Sequence, residues 1–160
     1  MEQDVRIKPH HFVDIVTSYA QGDPFKPHPY GHAVHSVAKT VLENPDVTLA
    51  MELGADDICG PCKYNINGLC NDTIDTSFRP EAPSSKREYN LLIDRRWCQR
   101  LGIRQGNRLT AREFCERLRD NTEDIQDIYR ENPAERVEKR KEHLRAGIRK
   151  FLALPTRGKS

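Results

Sequence analysis

Three of the five cysteines in this 160-residue chain lie within twelve residues, at Cys59, Cys62 and Cys70. A Gly-Pro pair separates the first two, and this pair favours a tight reversal that lets two thiolates face one point. Tetrahedral zinc sites and iron-sulfur clusters both use thiolates held in this way. The cysteine loop, which we define as residues 56–70, is therefore predicted to bind a metal.

A disulfide is the other chemistry that paired cysteines support. Residues 1–8 contain no apolar run of the kind that a secretory signal has, so we expect a cytoplasmic protein, in which disulfides are rare. Five cysteines would also leave one thiol unpaired. Both considerations favour metal binding over disulfides.

Length and composition indicate one soluble domain. A chain of 160 residues with 36% hydrophobic and 31% charged residues can bury a core of its own without help from a metal. No apolar stretch approaches the length of a bilayer span, so no membrane association is expected. We expect a single domain over residues 1–155 and a disordered tail over residues 156–160.

Charge divides unevenly along the chain. Residues 1–85 carry 6 Lys and Arg against 12 Asp and Glu, whereas residues 86–160 carry 20 against 12. We therefore distinguish a metal-site half, residues 6–75, from a basic helical half, residues 86–155. A basic half can meet nucleic acid or an acidic partner protein. Because its charges alternate in sign at helical spacing, without interleaved aromatic residues, nucleic acid is the less favoured partner.

Apolar periodicity predicts a mainly α fold with one short strand. Three helices are expected over residues 9–20, 32–43 and 89–101. A fourth should begin at the capping box of Thr110, and a last one should follow Asn132-Pro133 and end before Pro155. The strand is expected over residues 47–53, leading into the cysteine loop. Residues 71–88 are predicted to be a surface excursion or a mobile linker.

Three cysteines do not complete a four-coordinate site, so a fourth ligand is needed. His10, His11 and Asp14 are three and four residues apart in the first helix and can share one flank of it. Asp14 offers a hard oxygen, which is uncommon on a thiolate-rich centre. Cys98 is a further candidate. Cys98 and Cys115 both also fit apolar helix positions, where a buried thiol packs as a small hydrophobe.

The spacing of the cysteines favours an iron-sulfur cluster, with zinc as the alternative. Zinc sites commonly combine one close pair of ligands with a second close pair. In this chain seven residues separate Cys62 from Cys70, with no second Cys-x2-Cys pair. A cluster held by three cysteines leaves a position for a histidine, an aspartate or another ligand.

A set of short motifs resembles a small uncharacterised family of bacterial and archaeal proteins that are suspected of binding an iron-sulfur cluster. The motifs are Ile-Lys-Pro-His-His-Phe at residues 7–12, Asp-Asp-Ile-Cys-x2-Cys at 56–62, Gly-Leu-Cys at 68–70, Leu-Leu-Ile-Asp at 91–94 and Leu-Gly-Ile at 101–103. The resemblance covers roughly residues 6–120. Many members carry another cysteine shortly after the His-His pair, where this chain has Asp14. The resemblance implies a cluster, and implies that the first helix approaches the cysteine loop.

Three functions are compatible with these features. The first is an iron-sulfur protein in electron transfer or in an accessory role, working with a redox or acidic partner protein. The alternative is a structural zinc module whose basic helical half binds nucleic acid or a partner protein. The third is an enzyme that uses the histidine-rich N-terminal segment, namely His10, His11, His28, His32 and His35. No nucleophile triad, phosphate loop or paired-acid motif supports a named reaction.

Overall fold

The computed structural model describes residues 4–22 and 24–155, so the expected disordered tail, residues 156–160, lies outside the described residues. Within these ranges the chain is dominated by α-helix, as predicted. The elements in chain order are β1 (Val5–Ile7), α1 (Pro9–Gln21), α2 (Val34–Glu43), β2 (Thr48–Met51), β3 (Asn65–Ile66), β4 (Leu69–Cys70), α3 (Lys86–Leu101), β5 (Arg108–Thr110), α4 (Ala111–Asn121) and α5 (Ala134–Leu152).

The ends of the helices follow local capping chemistry. Helix α1 begins at Pro9, where the missing N–H of proline costs nothing. Helix α4 follows Thr110, and the predicted capping box between Thr110 and Glu113 is present. Helix α3 begins three residues earlier than expected, because the side chain of Ser85 caps it. Among the described residues, no helix combines the length and the apolar content that crossing a bilayer requires.

The expectation of one short strand is wrong. Strands β1 and β2 pair in parallel, and β5 pairs antiparallel with β2, which gives a three-stranded sheet in the order β1-β2-β5. A second pair, β3 and β4, forms a hairpin inside the cysteine loop. Each of the missed strands has two or three residues, which is too short for the alternation that identifies a strand in a sequence.

Residues 71–88 form a surface excursion that folds back on itself instead of a free linker. Thr73 and Ser85 form an isolated β-bridge, and the N–H of Ile74 donates to the carbonyl of Ser84 at 3.0 Å. Ala82 within this segment is buried. The excursion therefore connects the cysteine loop to the start of α3.

Helix α1 lies at the centre of the hydrophobic core. It packs along α5 and also contacts α3. Phe12 is fully buried, with its ring centroid 4.6 Å from that of Phe114 in α4 and 5.8 Å from that of Phe151 in α5. The core thus draws on both the metal-site half and the basic helical half.

The close packing of α1 on α5 depends on one glycine. Gly147 in α5 lies against Val16 in α1, and a Cβ atom added to Gly147 would overlap the carbonyl oxygen of Val16. The two helix backbones therefore approach more closely than any side chain at residue 147 would allow.

Gly147→Ala tests this approach. Alanine in a helix interior is ordinarily about 1 kcal/mol more favourable than glycine. Here we expect the free energy of unfolding to fall by about 1–3 kcal/mol or more, because the added methyl group overpacks the interface. Urea denaturation measures the change. Glu142→Ala, at an exposed position of the same helix, is the control and should stay near wild type. A Gly147→Ala variant as stable as wild type would contradict the close approach.

Candidate metal centre

The first turns of α1 face the cysteine loop across a cavity of about 670 Å³, which α3 closes on a further side. Six of the seven predicted ligands line this cavity: Cys59, Cys62, Cys70, His10, His11 and Asp14. The seventh, Cys98, is buried in the core and is absent from the lining among the described residues. The fold thus brings together two sequence segments that were predicted to meet.

The buried carboxylate of Asp56 joins these two segments. Its Oδ2 accepts from the backbone N–H of Lys8 and from Nδ1 of His11, both at 2.7 Å. Its Oδ1 accepts from the backbone N–H groups of Ile58 at 3.1 Å and Cys59 at 2.9 Å. One side chain therefore fixes the start of α1 and the start of the Cys-x2-Cys turn relative to each other.

These hydrogen bonds keep Asp56 ionised. Burial alone would raise the pKa of its carboxyl group, but the hydrogen bond and the charge of His11 oppose this effect, as do the N–H groups of Lys8 and Cys59. The result is a pKa well below the ordinary aspartate value. Asp56 is therefore ionised at neutral pH, behind the residues that line the cavity.

His11 is oriented for ligation. Because Nδ1 donates to Asp56, the other ring nitrogen, Nε2, is left to act as an acceptor, which is the usual arrangement of a metal-binding histidine. Burial, and then the adjacent His10, lowers the pKa of His11, so the ring is neutral at neutral pH. Among the described residues, His11, Asp56 and Cys59 are the one group of three whose ligand atoms all lie within 4.8 Å of one another.

His10 is held by a carboxylate of its own. Its Nδ1 lies 2.9 Å from both oxygens of Asp94, and its backbone N–H donates to Asp94 Oδ1 at 2.7 Å. Burial alone would lower the pKa of His10, but the charge and the hydrogen bond of Asp94 raise it. The rings of His10 and His11 are 4.3 Å apart. Among the described residues only His11 belongs to the group of three close ligand atoms, which favours His11 over His10 as the ligand.

The Cys-x2-Cys turn has the predicted reversal. The N–H of Cys62 donates to the carbonyl of Cys59 at 2.9 Å, which closes a tight turn. Burial, and then the charge of Asp56, raises the pKa of the Cys59 thiol to about 11. The free thiol therefore keeps its proton at neutral pH, and a metal ion would have to displace that proton to bind.

Hairpin β3–β4 brings the third cysteine to the same cavity. Its turn consists of Asn67 and Gly68, both at positive φ, which suits a two-residue hairpin. Cys70 pairs with Asn65 across the hairpin and lines the cavity. Cys62 and Cys70 thus line the same cavity as His11 and Cys59. Neither of them belongs to the group of close ligand atoms that His11, Asp56 and Cys59 form.

Two of the predicted ligands are less suited to the centre. Asp14 accepts a hydrogen bond from Arg140 at 3.2 Å through Oδ1, so one of its oxygens is already engaged. Cys98 is buried, and its burial together with the charge of Asp94 raises its pKa to about 11. Cys115 is fully buried with its Sγ 3.9 Å from the carbonyl of Ile148, which is the core role expected of it.

Some residues at the cavity were not predicted as ligands. His32, named above only in the enzyme hypothesis, lines the cavity, and His28 stacks on it with ring centroids 4.2 Å apart. The His28-x3-His32 spacing was a signal that could have drawn attention to both. Asp56 stands three residues before Cys59, where a short acceptor commonly caps a turn, so its role also had a local signal. The contact between His10 and Asp94 spans 84 residues and had none.

Comparison of the chain with protein-family models, curated proteins and solved structures returned no match. The resemblance carried by the short motifs stays a prediction.

Asp56→Asn tests whether this carboxylate is the link between α1 and the cysteine loop. An amide presents an NH₂ group to N–H donors that need an acceptor, so we expect a loss of about 2–4 kcal/mol in the free energy of unfolding. Chemical denaturation measures it. The control is Asp57→Asn, because the exposed Asp57 accepts from the backbone N–H of Arg6 at 2.8 Å. We expect a loss below about 1 kcal/mol there. Equal losses for the two variants would contradict the assigned role of Asp56.

Proposed function

We propose that this protein binds an iron-sulfur cluster through Cys59, Cys62, Cys70 and His11, and that it acts in the cytoplasm in electron transfer or as a cluster-bearing accessory protein. The observation that carries the proposal is the orientation of His11. A neutral imidazole, fixed at Nδ1 by the buried Asp56, borders the same cavity as the three thiols.

The donor set fits such a group. Thiolates and a neutral imidazole are ligands that iron-sulfur clusters accept, and zinc accepts the same donors. The choice of iron over zinc depends on the sequence, because there is no second close pair of cysteines and because the short motifs resemble a family suspected of binding clusters. A bound cluster would supply one-electron redox chemistry.

Each residue of the centre has a separate task in this proposal. Asp56 sets the tautomer and the direction of the His11 ring, and its bond to the N–H of Cys59 fixes the first thiol. Ile58, with only 2% of its surface exposed, restricts water on one side. Electron transfer also requires a path between the cluster and the protein surface. The half-buried Cys70 provides this path, because the hairpin that carries it lies at the surface. The exposed fractions of Ile66 and Leu69 in this hairpin are 52% and 53%.

Metal and acid-labile sulfide content, with a visible spectrum, tests the proposal on protein purified without oxygen. We expect iron with matching sulfide and broad visible absorption. Cys59→Ser should lose most of the iron and the colour, because it removes a ligand. Cys98→Ser is the matched control and should retain both, because Cys98 lies outside the lining of the cavity among the described residues.

Three results would contradict this assignment. Undiminished iron and colour in Cys59→Ser would remove Cys59 from the ligand set. Loss of iron in Cys98→Ser without loss of fold would make Cys98 a ligand. Zinc without sulfide would replace the cluster with a zinc site, and the basic helical half would then be tested for nucleic-acid binding that weakens with salt.

A further inference from the structure

Lys8 places an unpaired ammonium group at the edge of the candidate metal centre. The residue is 6% exposed and lines the cavity, and its ammonium group has no hydrogen bond or ion pair within residues 4–22 and 24–155. Its backbone N–H, by contrast, is bonded to Asp56. The ammonium group is therefore open to the cavity, where an anion that enters can pair with it.

The acidic groups nearest to Lys8 are engaged elsewhere. Lys8 is the N-cap residue of α1, whose first turn contains no acidic residue. Two carboxylates from other parts of the chain accept from this helix end: Asp56 from the backbone N–H of Lys8 and Asp94 from that of His10. The same carboxylates also bond to the rings of His11 and His10. The ammonium group of Lys8 is therefore left without an ion pair among the described residues.

The walls of the cavity carry further cations. Asp14 is the one acidic side chain in its described lining, against six Lys and Arg residues: Lys8, Arg79, Lys86, Arg87, Arg95 and Arg140. Lys86 has Asp72 as its ion-pair partner and Arg140 has Asp14. Arg87 and Arg95 have no ion pair within the described residues. They lie eight residues apart on α3, so their Cα atoms are about 12 Å apart along the helix.

The remaining lining is apolar. Ile58, Leu91 and Ile93 contribute to it, together with the rings of Tyr89 and Tyr129. The volume of about 670 Å³ lies within the range of small-molecule sites. A cavity with apolar walls, one unpaired ammonium group and cations at its rim suits an organic molecule with an acid group better than a free inorganic ion.

We propose that this cavity binds a small organic anion, a carboxylate or a phosphate ester, whose acid group pairs with the ammonium group of Lys8 beside the metal centre. This inference goes beyond cluster binding and does not depend on which metal the centre holds. The acid group would take the place of the missing counter-ion of Lys8, and Arg87 and Arg95 would attract the anion to the opening of the cavity.

Isothermal titration calorimetry of the purified protein tests the proposal with three probes that share one ring: phenyl phosphate, benzoate and the neutral benzyl alcohol. We expect one or both acids to bind with a saturable signal and the alcohol to give none. Preference for phenyl phosphate or for benzoate identifies the acid class. The variant Lys8→Met keeps the length of the side chain and the backbone bond to Asp56 but removes the charge.

We expect Lys8→Met to weaken binding of the preferred acid by about 10-fold or more, because a charge-assisted hydrogen bond is lost. Its melting temperature without ligand should stay close to that of wild type, because the ammonium group makes no hydrogen bond or ion pair with the described residues that the substitution would remove. The control is Lys39→Met, at an exposed position of α2, which should bind as wild type does.

Several results would overturn the proposal. These are wild-type protein that binds neither acid, equal binding by wild type and Lys8→Met, or equal weakening in Lys8→Met and Lys39→Met. Metal content of the same samples separates this test from that of the cluster. Loss of metal in Lys8→Met would assign the ammonium group to the metal centre and would also overturn the anion site. Acid binding by protein without metal would support the anion site while contradicting the cluster.

Discussion

The hydrogen bonds of the buried Asp56 carboxylate are the interaction on which the rest of the candidate centre depends. They join the start of α1 to a turn 45 residues later, and they orient His11 in the same step. The neighbouring backbone supports this junction, because the N–H of Asp57 donates to the carbonyl of Arg6 at 3.0 Å as the chain leaves the sheet. A carboxylate is required because it can accept from four donors while remaining ionised. The histidines of α1 therefore have a fixed position relative to the cysteine loop before any metal binds.

The two adjacent histidines have opposite electrostatic environments. Asp94 holds His10 from α3 and raises its pKa, whereas burial and the neighbouring His10 lower the pKa of His11. Two adjacent residues thus have pKa values shifted in opposite directions, although both rings line the same cavity. In the two proposals His11 belongs with the thiols of the metal centre, whereas Lys8 supplies the positive charge of the anion site.

Local signals predicted much of this molecule, and long-range contacts account for what they missed. Pro9 and the Thr110–Glu113 capping box identified helix starts, since a cap depends on residues within one turn. The three-stranded sheet could not be predicted, because its short strands are stable only when paired with residues tens of positions away. The spacing of the cysteines predicted their common cavity. It could not show that Cys98 packs in the core or that the ammonium group of Lys8 has no ion pair among the described residues.

X-ray absorption at the metal edge of the loaded protein, with wild type and His11→Ala compared, tests the central claim most directly. The account predicts a sulfur shell with one imidazole nitrogen in wild type, and loss of the imidazole signal in His11→Ala while the sulfur shell stays. An all-sulfur shell in wild type would contradict the account, because it would exclude His11 from the centre. An imidazole signal that persists in His11→Ala would contradict it equally, because another histidine would then be the ligand.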